Sequence, residues 1–274
     1  MSFYRCEFVK RLGEGGLGYV DKVVVRESDF LTPGTFVAAK YLKKKNDSGF
    51  VDRFRREVEA TGGMGHPNII TVLGYNLSGD RPHYLMPLYQ TTVRSTMSGQ
   101  IGNWKYIAGI GAILADALSY AHALGHYHRD LKPDNLLFDD KGPIQIADWG
   151  IGKFIHRYSA VLGTHAGIGT PYYCAPEQWL HAQYGPTVDV FSLGRLLDEW
   201  VRGGKRGIFT PKNAGAISNP RTAGARHFNS VLYTMTLAAP SQRLRTMDDV
   251  AQHLRHALAL DSPQPALPNL SALW

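Results

Sequence analysis

The chain has 274 residues, 44% of them hydrophobic, and a formal charge of +7 at pH 7. That length exceeds the usual size of a single core and predicts two lobes or two domains, with enough apolar residues to bury them. The two cysteines, Cys6 and Cys174, stand far apart and match no metal spacing, which excludes a disulfide framework and suits a reducing compartment. No apolar run approaches the roughly 18 to 20 residues of a membrane span. Met1-Ser2-Phe3-Tyr4-Arg5 opens no signal peptide, so a globular cytoplasmic protein with no membrane span is expected. The positive balance favours acidic or phosphate-bearing partners. Its basic residues are scattered apart from Lys43-Lys44-Lys45, which argues against dedicated nucleic-acid binding.

In chain order, Leu12-Gly13-Glu14-Gly15-Gly16-Leu17-Gly18-Tyr19-Val20 is the first informative stretch, with the pattern G-x-G-x-x-G-x-V. A dinucleotide fold needs a helix directly after such glycines, whereas Tyr19 to Arg26 is rich in valine and reads as a strand. Gly13, Gly15 and Gly18 therefore belong to a hairpin whose backbone can close over phosphates and present N–H groups to them. Phe36-Val37-Ala38-Ala39-Lys40 reads as the next strand. Val51, Phe54 and Val58 fall at helical spacing, with Asp47 or Ser48 as cap and Gly62-Gly63 as stop, so Glu57 projects from a helix. His83-Tyr84-Leu85-Met86-Pro87-Leu88-Tyr89 reads as a strand and its exit. Trp104 to Gly125, with apolar positions Ile107, Ile110, Leu114, Ala117, Leu118 and Ala121, predicts a core-facing helix.

That helix delivers the chain into Tyr127-His128-Arg129-Asp130-Leu131-Lys132-Pro133-Asp134-Asn135. One short loop here sets out a carboxylate that can accept a hydroxyl proton (Asp130), an ammonium that can neutralise a moving phosphoryl group (Lys132), and an amide oxygen that can ligate a divalent metal (Asn135). Leu136-Leu137-Phe138 and Ile144-Gln145-Ile146 follow as short strands, the second ending at Asp148-Trp149-Gly150. Further on come Gly169-Thr170-Pro171-Tyr172-Tyr173 and Ala175-Pro176-Glu177, then Asp189-Val190-Phe191-Ser192-Leu193-Gly194 at the head of an apolar helix. Gly203 to Gly224 predicts loop with a short helix. Arg243 sits in Pro240-Ser241-Gln242-Arg243, and Met247 to Leu260 predicts an amphipathic helix before a proline-containing tail.

Taken together these segments resemble the eukaryotic-type protein kinases over residues 8 to about 260, with the motifs in the family's order. The resemblance implies an α+β, two-lobed fold: a small β-rich lobe with one helix over 1–86, a hinge and larger helical lobe over 87–260, and a tail over 261–274. It implies ATP in the cleft, with Lys40 on the α and β phosphates and Glu57 holding Lys40. Gly13, Gly15, Gly18, Val20, Ala38, Met86, Pro87 and Tyr89 would surround the nucleotide, Met86 as gatekeeper. Proline after the gatekeeper still offers the adenine its carbonyl, while the donated N–H comes from Tyr89. Asp130, assisted by Lys132, would act as base, with Asn135 and Asp148 holding Mg2+ or Mn2+.

Lys132 two positions after Asp130, together with the Gly169–Glu177 segment, resembles the serine/threonine kinases. The resemblance implies protein substrates with serine or threonine acceptors, and Thr170 bonded to Asp130 and Lys132. Arg129 and Lys153 match positions that gather a phosphate, which makes Thr164, then Ser159, the candidate sites of self-phosphorylation. Glu177 and Arg243 would pair, and Asp189 would anchor the catalytic loop from beneath. His156 and His165 lack a third ligand at metal spacing and read as loop residues. Two positions depart from the family: Trp149 stands where phenylalanine is usual, and Thr61 where a large apolar side chain is usual, which predicts a loosely held helix. The alternative is an ATP-binding scaffold without turnover. No segment of the 274 residues reads as a sensor domain, and none is expected within them.

Overall fold

The computed structural model describes residues 3–15, 18–43, 48–78, 80–139, 142–149, 172–179, 185–205 and 216–262. Five antiparallel strands form the first layer: β1 (Tyr4–Glu14), β2 (Gly18–Ser28), β3 (Phe36–Leu42), β4 (Gly74–Asn76) and β5 (His83–Pro87), ordered β1-β2-β3-β5-β4. The two-residue period of a strand divides β3 and β5 into two faces. Val37, Ala39 and Leu85 join Val23 and Val25 in one small buried cluster. On the opposite face the register sets Val20 and Tyr84 beside Lys40, and Met86 beside Ala38. Helix α1 (Ser48–Gly62) closes over that second face. It buries Phe50, Phe54 and Val58, with the Phe54 ring 5.6 Å from Tyr84.

A second sheet of three short strands, β6 (Thr91–Thr92), β7 (Leu136–Phe138) and β8 (Gln145–Ile146), lies where the chain enters the helical part. An isolated bridge from Ile69 to Ile146 links it to the segment after α1. The helices are α2 (Val93–Thr96), α3 (Trp104–Ala123), α4 (Pro176–Trp179), α5 (Thr187–Arg202), α6 (Ala223–Met235) and α7 (Met247–Leu260). Their ends follow local chemistry. The Asn103 side chain accepts from the Tyr106 N–H at the start of α3, and Thr246 and Asp249 form a reciprocal capping box at α7. Gly203 at φ 74° ends α5 in the left-handed conformation that glycine adopts without a Cβ penalty.

Helix α5 is the axis of the larger lobe, buried on every side from Val188 to Val201. Ile107, Leu114 and Leu118 of α3 and Leu254 of α7 are fully buried in the same core. At Gly224 a Cβ would stand 2.3 Å from the Ala257 carbonyl oxygen, so only glycine lets α6 approach α7 this closely. Several elements escape the sequence reading, among them the short β4, β6 and α2 as well as β1 and α6. Most of β1 is exposed, which blurs its alternation, and α6 follows directly on the glycine- and proline-containing stretch. Residues 216–222 carry no helix, and the tail over 263–274 lies outside the described residues. Among the described residues no helix is long and apolar enough to cross a membrane.

Helix α4 is tied to the base of the lobe by one ion pair. Arg243 Nη1 and Nη2 donate to the two carboxylate oxygens of Glu177 at 2.6 and 2.8 Å. The same guanidinium donates to the carbonyls of Thr187, Leu237 and Ala238, and its side chain is fully buried. Removing one partner strands the other charge in the interior. Arg243→Ala is therefore expected to lower unfolding stability by about 3–5 kcal/mol. Urea titration followed by circular dichroism measures this, and a loss below about 1 kcal/mol, the scale of an exposed pair, would contradict the assignment.

Candidate active site

Lys40 occupies the interior face of β3, and its ammonium bridges two carboxylates from different parts of the chain. Nζ donates to Glu57 Oε1 on α1 at 2.6 Å and to Asp148 Oδ1, beyond β8, at 2.7 Å. Tyr84 donates its hydroxyl to the same Glu57 oxygen at 2.9 Å. Burial by itself would lower the Lys40 pKa, but the Asp148 and Glu57 carboxylates raise it well above its ordinary value. Burial pushes the Asp148 pKa up, yet Lys40 more than offsets this and holds the carboxyl ionised below the usual range. Thr61, one helical turn past Glu57, is buried with no partner for its hydroxyl among the described residues. The helix it was expected to loosen is seated by Phe54, Val58 and the Glu57 pair.

The loop from Tyr127 to Asn135 is held from below by Asp189 of α5. Its carboxylate oxygens accept the backbone N–H groups of His128 and Arg129 at 2.8 and 2.7 Å, and His122 Nε2 lies 2.8 Å from Oδ2. Burial would raise the Asp189 pKa, but His122, His128 and the backbone donors bring it below its ordinary value. Arg129 stands at φ 68°, a left-handed conformation that costs a non-glycine residue about 1–3 kcal/mol. Asp189 fixes its N–H, and Gln178 Nε2 donates to its carbonyl at 3.0 Å. Asp148, at φ 66°, carries the same kind of strain on the facing strand end. Both outliers lie in the stretches where the sequence concentrates its charged chemistry.

Within this frame Lys132 Nζ donates to Asp130 Oδ2 at 2.7 Å. Asn135 Nδ2 donates to the Asp130 carbonyl at 2.9 Å, which leaves the amide oxygen as the end available to a cation. The Ala147 N–H donates to the Asn135 carbonyl at 2.9 Å and fastens the loop to the residue before Asp148. Asn135 and Asp148 line one cavity of about 380 Å³ together with Gly13, Val20, Ala38, Met86, Pro87 and Tyr89. A carboxylate kept ionised and an amide oxygen are hard donors that suit Mg2+ or Mn2+. Among the described residues no set of three His, Cys, Asp or Glu side chains is grouped to hold a metal alone, so further ligands would come from phosphate oxygens and water.

Two residues behave otherwise than the sequence leads one to expect. At Gly18 an added Cβ would stand 2.3 Å from the Tyr41 carbonyl oxygen, whereas at Gly13 nothing lies within 4 Å. Gly18 is thus required by the β2–β3 pairing itself, while Gly13 leaves open space on the cavity wall. Trp149 is almost wholly buried, its ring 4.9 Å from His128, and its indole N–H donates to the Ile146 carbonyl at 3.0 Å. That carbonyl also accepts the Ile70 N–H, so it keeps a partner whatever occupies position 149. The sequence could not supply the indole's partner, a backbone atom. Lys153, Ser159, Thr164, Thr170, His156 and His165 lie outside the described residues.

A five-stranded sheet over a helical lobe, with a charged cleft between, is the fold of the protein kinases. The chain belongs to that family: the protein kinase domain matches residues 6–256. It is 37% identical over 193 residues to the serine/threonine-protein kinase PknK of Mycobacterium tuberculosis, a match covering 69% of this chain and 17% of that protein. It is 32% identical over 203 residues to the probable serine/threonine-protein kinase CPE1738 of Clostridium perfringens, covering 73% and 29%. The chain therefore spans less than a third of the length of either relative. The crystal structure of the Mycobacterium tuberculosis PknI kinase domain superposes with a TM-score of 0.71 at 22% identity, covering 93% of this chain and 96% of that one, a likeness of fold.

Trp149→Phe removes one hydrogen bond and some volume but strands no buried acceptor. It is expected to cost about 1–2 kcal/mol, against about 3–5 kcal/mol for Trp149→Ala. Equal losses in thermal unfolding would show that the ring's packing is not what holds this segment. Gly18→Ala should lower the melting temperature, because strand backbone cannot move aside, whereas Gly13→Ala should leave it within about 2 °C.

Proposed function

We propose that the chain is an active protein kinase that transfers the γ-phosphoryl group of ATP to serine or threonine hydroxyls of proteins. The observation that carries this reading is the ammonium of Lys40 held between Glu57 and Asp148, the latter lining a cavity that also reaches Asn135. Lys40 neutralises the phosphates of the bound nucleotide, and Gly13 and Gly15 let the backbone close over them. Asp130 accepts the acceptor hydroxyl's proton as the new oxygen–phosphorus bond forms and the bond to the nucleoside diphosphate breaks. Lys132, beside Asp130, stabilises the charge on the transferring group. Asn135 and Asp148 hold the divalent cation, which supplies positive charge across the phosphate oxygens.

A binding scaffold without turnover is not supported, since Lys40, Asp130 and Asp148 are all in place. The two free cysteines suit a reducing cytoplasm. Asp130→Asn is expected to lower transfer to a generic protein substrate by about 10²–10⁴-fold while leaving nucleotide affinity nearly unchanged, because the base faces the acceptor. Wild-type turnover in that variant, in a purified radiolabel assay, would remove Asp130 from the chemistry.

The same reading includes regulation by self-phosphorylation. A phosphate of about −1.5 to −2 charge on Thr164, or on Ser159, would be gathered by Arg129 and Lys153 and order the segment before Thr170. Mass spectrometry of active enzyme is expected to find phosphate between residues 159 and 170, and none in Asp130→Asn. Full activity with that stretch unmodified would overturn the regulatory half of the reading.

A further inference from the structure

Helices α6 and α7 bring together three histidines that the phosphoryl-transfer reading does not use. His227 Nε2 of α6 lies 3.3 Å from His253 Nδ1 of α7, with the ring planes tilted by 36° and the centroids 5.4 Å apart. The His256 ring, one turn further along α7, stands edge-on to His227 at 4.9 Å. His227 is half-buried, the other two are exposed, and none of the three lines the cavity that holds Asn135 and Asp148. The frame beneath them is fixed by packing. Phe228 and Leu254, which follow His227 and His253, are fully buried in the core, and Gly224, one turn before His227, brings α6 against the Ala257 carbonyl of α7. Close packing of two regular helices thus sets the spacing of the imidazoles, as a metal site on rigid elements requires.

Two imidazole nitrogens at that separation fit one tetrahedral cation. With metal–nitrogen bonds of about 2.0–2.1 Å, a span of 3.3 Å corresponds to an angle at the metal of about 104–111°, and a tetrahedron requires about 109°. Without a cation, one ring donates its N–H to the other. The donor ring has only to change tautomer, moving that proton to its other nitrogen, for both rings to offer a lone pair to the same ion. Burial and the His256 and His253 rings lower the His227 pKa, which keeps this imidazole neutral, the form that ligates. The adjoining arginines are turned to other partners: Arg226 donates to the Arg221 carbonyl, and Arg255 to both carboxylate oxygens of Asp116. Among the described residues no third His, Cys, Asp or Glu side chain is grouped with the pair as a ligand, so water fills the remaining positions.

We propose that His227 and His253 form a two-imidazole site for a divalent transition metal, zinc in the first instance, which clamps α6 to α7. Imidazole suits zinc, nickel and copper, whereas Mg2+ takes oxygen ligands, so this site does not compete for the cation assigned to Asn135 and Asp148. The two nitrogens are brought together only by the folded chain, and a metal held by them stabilises that chain by mass action. The site is independent of phosphoryl transfer and stands or falls without it.

The test is isothermal titration calorimetry of zinc chloride into the full chain, freed of metal with a chelator and kept in excess Mg2+ to occupy carboxylate sites. Wild type is expected to bind zinc, and His227→Ala and His253→Ala each to bind it at least about tenfold more weakly, a loss of about 1.4 kcal/mol. Zinc at about ten times its Kd should raise the melting temperature of wild type by about 3–5 °C and leave that of both variants unmoved. His256→Ala, which leaves the chelating pair intact, should bind zinc like wild type. Should His227→Ala fold poorly, His227→Gln, which keeps most of the side-chain volume, is read in the same way. No zinc binding by wild type, undiminished binding in either the His227 or the His253 variant, or a loss in His256→Ala as large as theirs would overturn the assignment.

Discussion

The ammonium of Lys40 is the point on which the two lobes meet. It cannot lie buried on the face of β3 without compensation, because an unpaired interior charge costs several kcal/mol, about as much as a domain's net stability. Two carboxylates supply the compensation, and they come from opposite sides of the cleft: Glu57 from the helix above the sheet, Asp148 from the strand end in the larger lobe. Their placement has consequences for everything around them. Glu57 needs α1 seated on the sheet, hence Phe54 against Tyr84. Asp148 needs its strand end held in a left-handed conformation, hence the Trp149 indole on the Ile146 carbonyl and His128 on the Ala147 carbonyl.

The catalytic-loop candidates are supported in the same manner from beneath. Asp189 is fully buried at the head of the most buried helix and spends its lone pairs on two consecutive backbone N–H groups and on His122. A rigid carboxylate in that place turns a solvent-facing loop into a fixed platform, and it carries the strain of Arg129 that a free loop would relax. Helix α5 therefore links three regions that are remote in sequence. It anchors the loop through Asp189, the segment before Pro176 through Ser192, whose hydroxyl donates to the Tyr173 carbonyl at 2.7 Å, and Arg94 of α2 through Glu199.

How much of this was legible beforehand depends on the range of the interactions. Asp130, Lys132 and Asn135 lie in one short loop, and Gly13, Gly15 and Val20 in one hairpin, so local spacing was enough to single them out as candidates. The strands and helices with strong periodicity, β2, β3, α3 and α7, were legible for the same local reason. The exposed β1 was not, since a strand with little buried surface writes no clear alternation.

The sequence by itself determined which residue types the cleft contains and the family to which their order belongs, because those features depend on neighbours along the chain. The resemblance implied Glu57 for Lys40, Arg243 for Glu177 and Asp189 beneath the loop, while tertiary structure alone decided other partners. It set Arg94 against Glu199 across 105 positions, joined His122 to Asp189 across 67, and found the Trp149 indole a backbone carbonyl. It also moved the reason for Gly18 from the phosphates to the neighbouring strand. The physical cause is common to all four. A buried charge or donor, or a missing Cβ, is required by whatever the fold packs against it, and that neighbour is chosen by the packing of whole elements and not by local spacing.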